Sequence, residues 1–332
     1  MQEGIAADHR ARHPSSHSAT DPGARTPTRA LIVDPSAPAN IGFGEIGDPV
    51  AGPGQVIVDV VHASLNYADL NNAISGRVPA GAALGLDAAG IVRQGAADGS
   101  GPAAGTRVVL FADGAFAERV AVDVSAMAEV PDGVGLAEAA ALPTAGLAAL
   151  RSLRSAGIAP DKRVLVTGAS GGVGRYAVRL ASRAGAHVIA SVGSPARGDG
   201  LVDAGADEVV VGLDDIKEPV DIVVETVGGP HLVTAWGLLA PGGSLQSVGW
   251  TSAEPAVFPP YATVGLPKTL MSYVNEFGSA DDLAELVWLT AEGALVPEIG
   301  WRGSWERFAE AADALRGRRV TGKAVFDLQP DA

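Results

Sequence analysis

Between an apolar segment, Arg163 to Thr167, and a run with helical spacing, Tyr176 to Gly185, stand Gly168, Ala169, Ser170, Gly171, Gly172, Val173 and Gly174. Ala169, Gly171 and Gly174 fall on the G-x-G-x-x-G spacing, which between a strand and a helix lets backbone turn sharply and approach a diphosphate. The free N–H groups at the helix start then stabilise its negative charge. The chemistry this spacing points to is dinucleotide binding. The plainer alternative is a tight turn with no ligand.

The end of the next strand selects the dinucleotide. An acidic residue there bonds the ribose 2′-hydroxyl of NAD, and between His187 and Asp199 none is present. Ser194 offers a hydroxyl and Arg197 a cation, which suits a 2′-phosphate. NADPH is therefore expected over NADH. The alternative for Arg197 is an ordinary solvated helix residue.

Composition excludes other chemistries. The 332 residues hold no cysteine, which removes disulfides, thiol nucleophiles, iron–sulfur clusters and cysteine-ligated zinc. A formal charge of −14 gives no field that would gather polyanions, so nucleic acid is not expected as a partner. The most apolar stretch, Ala137 to Leu150, contains Glu138 and Pro143 and is too short to span a bilayer. A soluble, cytoplasmic protein is expected. Residues 1–28 are rich in Pro, Ser, Thr and Arg and read as a disordered tail. His9, His13 and His17 recur every four residues there, but with Pro14 nearby and no apolar face they read as tail rather than metal site. No apolar segment follows the basic residues, so no secretory signal is read.

The elements that position these residues follow from pattern. From 29 to 135 short β-rich segments alternate with Gly and Pro turns, as in a compact, partly closed β domain. Past Pro131-Asp132-Gly133 an Ala-rich helical run leads into alternating strands and helices, the signature of a doubly wound parallel sheet. Five parallel strands are legible, with Thr269 to Val274 as a candidate sixth. Two amphipathic helices and a closing strand, Gly322 to Leu328, complete an α/β chain.

The segments ASGGVG after a strand, AAALPTAGLAALRSL, LAPGGSLQSVG and TGKAVFDL together resemble the medium-chain dehydrogenase/reductase superfamily, in its zinc-free quinone oxidoreductase (zeta-crystallin-like) branch. The likeness runs from about Arg29 to Leu328. It implies a GroES-like catalytic domain from 29–135 and 275–330, a Rossmann domain over 136–274, and a cofactor in the cleft between them. Zinc-using relatives carry a Gly-His-Glu segment, and here that position reads Gly85-Leu86-Asp87. Asp87 alone cannot hold a tetrahedral zinc, so no metal is expected.

The stretch Ser64 to Leu70 is similar to the S-L-N-Y-x-D segment that borders the nicotinamide in zinc-independent enoyl and quinone reductases. The resemblance puts Asn66 and Tyr67 at the reacting carbon, with Asp69 orienting neighbours or closing the cleft. Tyr67 could equally be an aromatic packed at a domain interface, and Asn66 a loop tie. The resemblance adds Thr144 of LPTAG, Thr226 and Val227 after Glu225, Val248 and Gly249 after Ser247, and Lys323 of the G-K pair as cofactor contacts. Lys323 has a solvated strand position as its alternative. Trp250, where relatives have a small polar residue, would narrow the substrate pocket.

The implied activity is NADPH-dependent reduction of a quinone or α,β-unsaturated carbonyl substrate. Hydride addition leaves charge on an oxygen, which needs a hydrogen-bond donor. Tyr67 is the first candidate and Asn66 the second, and water or Tyr67 supplies the proton. A tailoring reductase that closes a ring in a natural product, and a non-catalytic NADPH-binding protein, are the competing readings. The resemblance also implies a homodimer through the edge strand near Thr269.

Overall fold

A computed structural model describes residues 27–329. Pro27 and Thr28 are therefore the only part of the expected tail on which it bears, and His9, His13 and His17 lie outside the described residues. Thr28 is fully buried as the first residue of β1 (Thr28–Val33), so this strand takes in the last residue of the expected tail. β1 pairs antiparallel with β2 (Ile41–Ile46). There follow β3 (Gln55–Leu65), α1 (Tyr67–Ser75), β4 (Asp87–Gln94), β5 (Arg107–Phe111), β6 (Arg119–Asp123) and β7 (Met127–Glu129). The Ala-rich stretch forms two helices, α2 (Leu136–Ala140) and α3 (Pro143–Ser155). Proline suits the first position of the second helix, where its missing N–H would be unpaired anyway.

Strands and helices then alternate: β8 (Arg163–Val166), α4 (Gly172–Arg183), β9 (His187–Val192), β10 (Glu208–Val211), β11 (Val220–Glu225), α5 (Gly229–Leu238), β12 (Leu239–Ser247) and β13 (Thr269–Ser272). The chain ends in α6 (Ala280–Ala291), β14 (Ile299–Ser304), α7 (Phe308–Arg316) and β15 (Lys323–Asp327).

Six strands form one sheet in the order β10-β9-β8-β11-β12-β13, and all its pairings are parallel. The candidate sixth strand is thus present, at an edge. The chain runs outward from β8 in one direction and then, from β11, in the other. Ligands of such sheets bind in the crevice where the order reverses, outside the carboxyl ends of the strands. The Gly168 to Gly174 turn leaves β8 at that crevice.

The second sheet has the order β14-β15-β3-β4-β5-β7, with β6 also on β3, which gives the GroES-like unit. Two registers of this sheet matter for function. Ala324 lies opposite Leu65, and Ser64 lies opposite Asp87. The first residue of β15, the first of β4 and the residue just after β3 therefore meet at one end of the sheet. Apolar side chains of α3, α4, β8 and β9 form one core, joined by Leu283, Leu286 and Leu289 of α6. Those of β3, β4, β5 and α7 form another.

Candidate active site

The glycines of the turn have different physical reasons. Gly168 has φ of +59°, a left-handed conformation that suits glycine, and a side chain there would run into Thr226. A Cβ on Gly174 would stand 2.5 Å from the Gly168 carbonyl oxygen and 2.6 Å from Ala169 Cα, so close helix–strand packing requires its absence. One on Gly172 would stand 2.8 Å from the Lys323 stem. Gly171 is the exception: the nearest atom to a Cβ there is the Gly168 carbonyl oxygen at 3.4 Å, ordinary contact distance, with an unexceptional backbone. The protein does not need this glycine for its own packing. Its bare backbone forms the N-cap of α4, a twelve-residue helix whose end has no side-chain cap. Open N–H groups, an uncovered approach and the helix dipole fit a diphosphate. The turn is also tied across the cleft, since Gly322 N–H donates to the Ser170 carbonyl at 3.0 Å.

Arg197 donates from Nε to Ser170 Oγ at 3.0 Å, so it lies against the glycine turn rather than out in solvent. Ser194 is the residue before the short 3-10 turn Pro195–Gly198 that carries it. Thr226 and Val227 follow β11. The Thr226 hydroxyl donates to the Thr167 carbonyl at 2.8 Å, and Val227 N–H donates to the fully buried Glu225 carboxylate at 3.0 Å. Val248 and Gly249 both donate to the Glu225 carbonyl. These four therefore line the carboxyl ends of the neighbouring strands with their geometry fixed by Glu225 and Thr167.

The two sheet registers build a buried ionic network. Lys323 is 3% exposed and Asp87 fully buried, with Nζ 3.3 Å from Asp87 Oδ2. The ammonium also donates to Asn66 Oδ1, while Asn66 Nδ2 donates to Asp87 Oδ2 at 2.9 Å. On its other oxygen Asp87 accepts from the Thr144 hydroxyl and, at 3.0 Å, from Thr144 N–H in the first turn of α3. A carboxylate at a helix N-terminus is favoured by the dipole. Burying two charges is unfavourable unless their remaining donors and acceptors are matched, and here they are. Lys323 is thus no solvated strand residue. This carboxylate already has an ammonium and three further donors, and among the described residues no group of three His, Cys, Asp or Glu side chains gathers to hold a metal. With no cysteine in the chain, the donor set does not fit a zinc ion.

The hydroxyl of Tyr67 and the side-chain amide of Asn66 are both engaged within the protein. The Tyr67 hydroxyl donates to the Leu315 carbonyl at 2.6 Å, which joins α1 to the end of α7. Half-burial raises its pKa, against the charges of Arg318 and Arg197. The Asn66 side-chain N–H groups are spent on Asp87 and the Ser64 carbonyl. Asp69 is 1% exposed, and its Oδ2 accepts Asn66 N–H at 2.7 Å, completing a capping box on α1. Trp250 packs over Gly228 and donates to the Glu254 carbonyl at 2.6 Å. It is 45% exposed, and it lines neither the cavity beside Asp48 nor the one beside Asp69. His62 is buried in β3 beside Asp327, at 3.0 Å, as a packed residue.

Two residues escape a reading by motif. Asp87, considered only as a failed zinc ligand, is the centre of the network, and only the β3–β4 register reveals this. Arg318 has φ of +55°, rarely adopted outside glycine, and reaches the Thr251 carbonyl beyond β12 at 3.3 Å. It bridges the cleft beside Tyr67. The run Arg316-Gly317-Arg318-Arg319 in so acidic a chain is the signal that could have found it.

The family model for the alcohol dehydrogenase GroES-like domain matches residues 52–147, and that for the zinc-binding dehydrogenase matches 199–326. Prostaglandin reductase-3 of Bos taurus is 30% identical over 320 residues, covering 85% of this chain and 83% of that protein. A mycocerosic acid synthase-like polyketide synthase of Mycobacterium tuberculosis is 31% identical over 306 residues, covering 83% of this chain. The chain spans only 14% of that synthase. A mycobacterial protein solved in complex with NADPH superposes with a TM-score of 0.81 at 24% identity, over 90% of this chain and 99% of that one.

Proposed function

The chain belongs to the medium-chain dehydrogenase/reductase superfamily, and from that premise we propose that it is an NADPH-dependent, zinc-independent reductase of quinones or α,β-unsaturated carbonyl compounds. The observation that carries this reading is the meeting, at the crevice of the parallel sheet, of an uncovered helix N-terminus with a buried ammonium. The residue 168–174 turn holds the diphosphate, and Arg318 reaches across the cleft from the loop after α7 to the Thr251 carbonyl. Ser194 and Arg197 take the 2′-phosphate. Thr226, Val227, Val248 and Gly249 flank the cofactor along the strand ends, and Asn66, Thr144 and Lys323 border the nicotinamide. NADPH, when bound, supplies hydride.

The protein's own contribution is electrostatic. A cation preorganised where charge develops on the substrate oxygen lowers the barrier without needing to reorient. Lys323 is that cation in place of zinc: its three donors are held by Asp87, Asn66 and the Leu65 carbonyl, so its charge acts through its field and not by a hydrogen bond to substrate. Tyr67 and Asn66, with their donors engaged, act as positioning residues. The substrate class also draws support from the relative named as a prostaglandin reductase.

The test is NADPH consumption across quinones, enones and enoyl thioesters, with product analysis for cyclisation. Turnover with at least one conjugated acceptor, and none with saturated alcohols and NADP, is expected. Tight NADPH binding without hydride loss to any acceptor would establish a non-catalytic binder and overturn the reading.

A homodimer is part of the same reading. All four residues of β13 are exposed at the sheet edge, beside exposed Leu266, Val274 and Phe277. Unpaired apolar edges require cover. Sedimentation equilibrium would show twice the chain mass, and a monomer at micromolar concentration would refute the assembly.

A further inference from the structure

Arg175 stands in the first turn of α4, directly after the glycine turn, and is only 6% exposed. Two effects oppose its presence there. The helix dipole favours anions over cations at this end, and a buried charge is costly unless its hydrogen-bonding groups are matched. Here the match is partial. Nη1 pairs with the Glu298 carboxylate at 2.5 Å and Nη2 donates to the Asp199 carbonyl at 2.7 Å, while the buried Nε has no hydrogen-bond partner. An apolar side chain of similar length would serve the packing of α4 as well.

What the guanidinium provides is a junction between three parts of the cleft. Asp199 closes the short turn Pro195–Gly198 that carries Arg197, with Ser194 ahead of it, and none of the turn's residues is buried. Hydrogen bonds rather than packing therefore set its position. Arg197 Nε fixes it to Ser170 Oγ, and Arg175 fixes its end through the Asp199 carbonyl. On the other arm, Glu298 belongs to the GroES-like unit. Its carbonyl accepts Lys323 N–H at 2.8 Å, and Gly322, which bonds the glycine turn, packs against that same carbonyl. The planar fork of an arginine reaches two acceptors in fixed directions at once, a geometry that the ammonium of a lysine does not reproduce.

We propose that Arg175 is a positioning residue for cofactor selectivity: braced against Glu298, its guanidinium holds the 194–199 segment where Ser194 and Arg197 meet a 2′-phosphate. The proposal rests on the NADPH reading above. Arg175 acts through the Asp199 backbone and not by contact with the cofactor. The diphosphate and nicotinamide halves, common to NADPH and NADH, are held by the glycine turn and the strand ends. Loss of the fork therefore falls on the 2′-phosphate.

Calorimetry of the full chain with NADPH and with NADH tests this through the ratio of the two affinities. Arg175→Lys keeps the charge but not the fork, and should weaken NADPH binding about tenfold or more while leaving NADH binding unchanged. Glu298→Ala removes the brace at a partly exposed position, so it decides the matter even if the lysine variant does not fold. It should shift the ratio in the same direction by a smaller factor. A wild-type ratio in either folded variant would overturn the proposal, and so would an equal loss for both nucleotides, the mark of a merely structural role. A wild-type chain that binds NADH as tightly as NADPH, or binds neither, would overturn the cofactor reading instead.

Discussion

The glycine turn and the Lys323–Asp87 network stand on opposite sides of the same cleft and are built by opposite means. The turn consists of seven consecutive residues whose function lies in what they lack, so backbone N–H groups are left uncovered at one helix end. The network takes Asn66, Asp87, Thr144 and Lys323 from four distant segments, and its function lies in side chains that are charged, buried and mutually satisfied. At Gly168 and Gly174 the first has no room for an added atom, and the second tolerates no lost one. A contiguous motif can therefore be damaged by a methyl group, whereas a dispersed one is damaged by removing a single partner.

The sharpest way to break this contrast is Lys323→Met. It leaves the Asp87 carboxylate buried without its counter-ion, a change that typically costs about 3–5 kcal/mol. Chemical denaturation should show that loss, and a stability within 1 kcal/mol of wild type would mean that the pair contributes little. Next in size are two substitutions in the turn. Gly174→Ala forces a Cβ against backbone at 2.5 Å and should destabilise by about 1–3 kcal/mol. Gly171→Ala meets nothing closer than 3.4 Å, so its melting temperature should be nearly unchanged while NADPH affinity drops at least tenfold by calorimetry. Equal effects of both alanines on folding would erase the distinction between packing and ligand glycines.

Arg197→Gln separates the cofactors. A charge-assisted contact to the 2′-phosphate is worth about 1.5–3 kcal/mol, so NADPH binding should weaken about tenfold to a hundredfold, and NADH binding should not change. Loss of both to the same extent would place Arg197 elsewhere. The smallest effect belongs to Tyr67→Phe, which removes one hydrogen bond to the Leu315 carbonyl. About 1 kcal/mol of stability should be lost, with kcat within a factor of a few of wild type. A collapse of kcat by a hundredfold would return Tyr67 to the role of donor.

Stability should also carry a mark of Asp69. Its folded-state pKa is raised from 3.8 to about 7, so the native chain binds this proton more tightly than the unfolded chain does. The contribution of this group then falls as pH rises through that interval. Asp69→Asn should flatten that part of the stability curve.

How much was legible in sequence follows the same division. Five strands of the parallel sheet and its glycine turn have local signatures, namely apolar runs of strand length, helical periodicity, and glycine and proline punctuation, whereas the return of the last strand to the first domain was legible only through the family resemblance. The place of Arg197 against the glycine turn was legible because the residue type and its position after the second strand are both local. For Tyr67 the sequence left a donor and an aromatic packed at an interface both open, because nothing in a heptapeptide shows that a phenol meets the carbonyl of Leu315, 248 residues away.

By itself, then, the amino-acid order determined the elements, their sequence along the chain, the absence of thiol chemistry and the glycine-rich turn between strand and helix, since each depends on neighbours within a few residues. Tertiary structure alone decided that Asp87 is a counter-ion, that Lys323 is buried and that one oxygen of the buried Asp69 carboxyl has no hydrogen-bond partner. Those facts arise from strand register and burial, which set solvation and charge pairing between residues that the linear chain holds far apart.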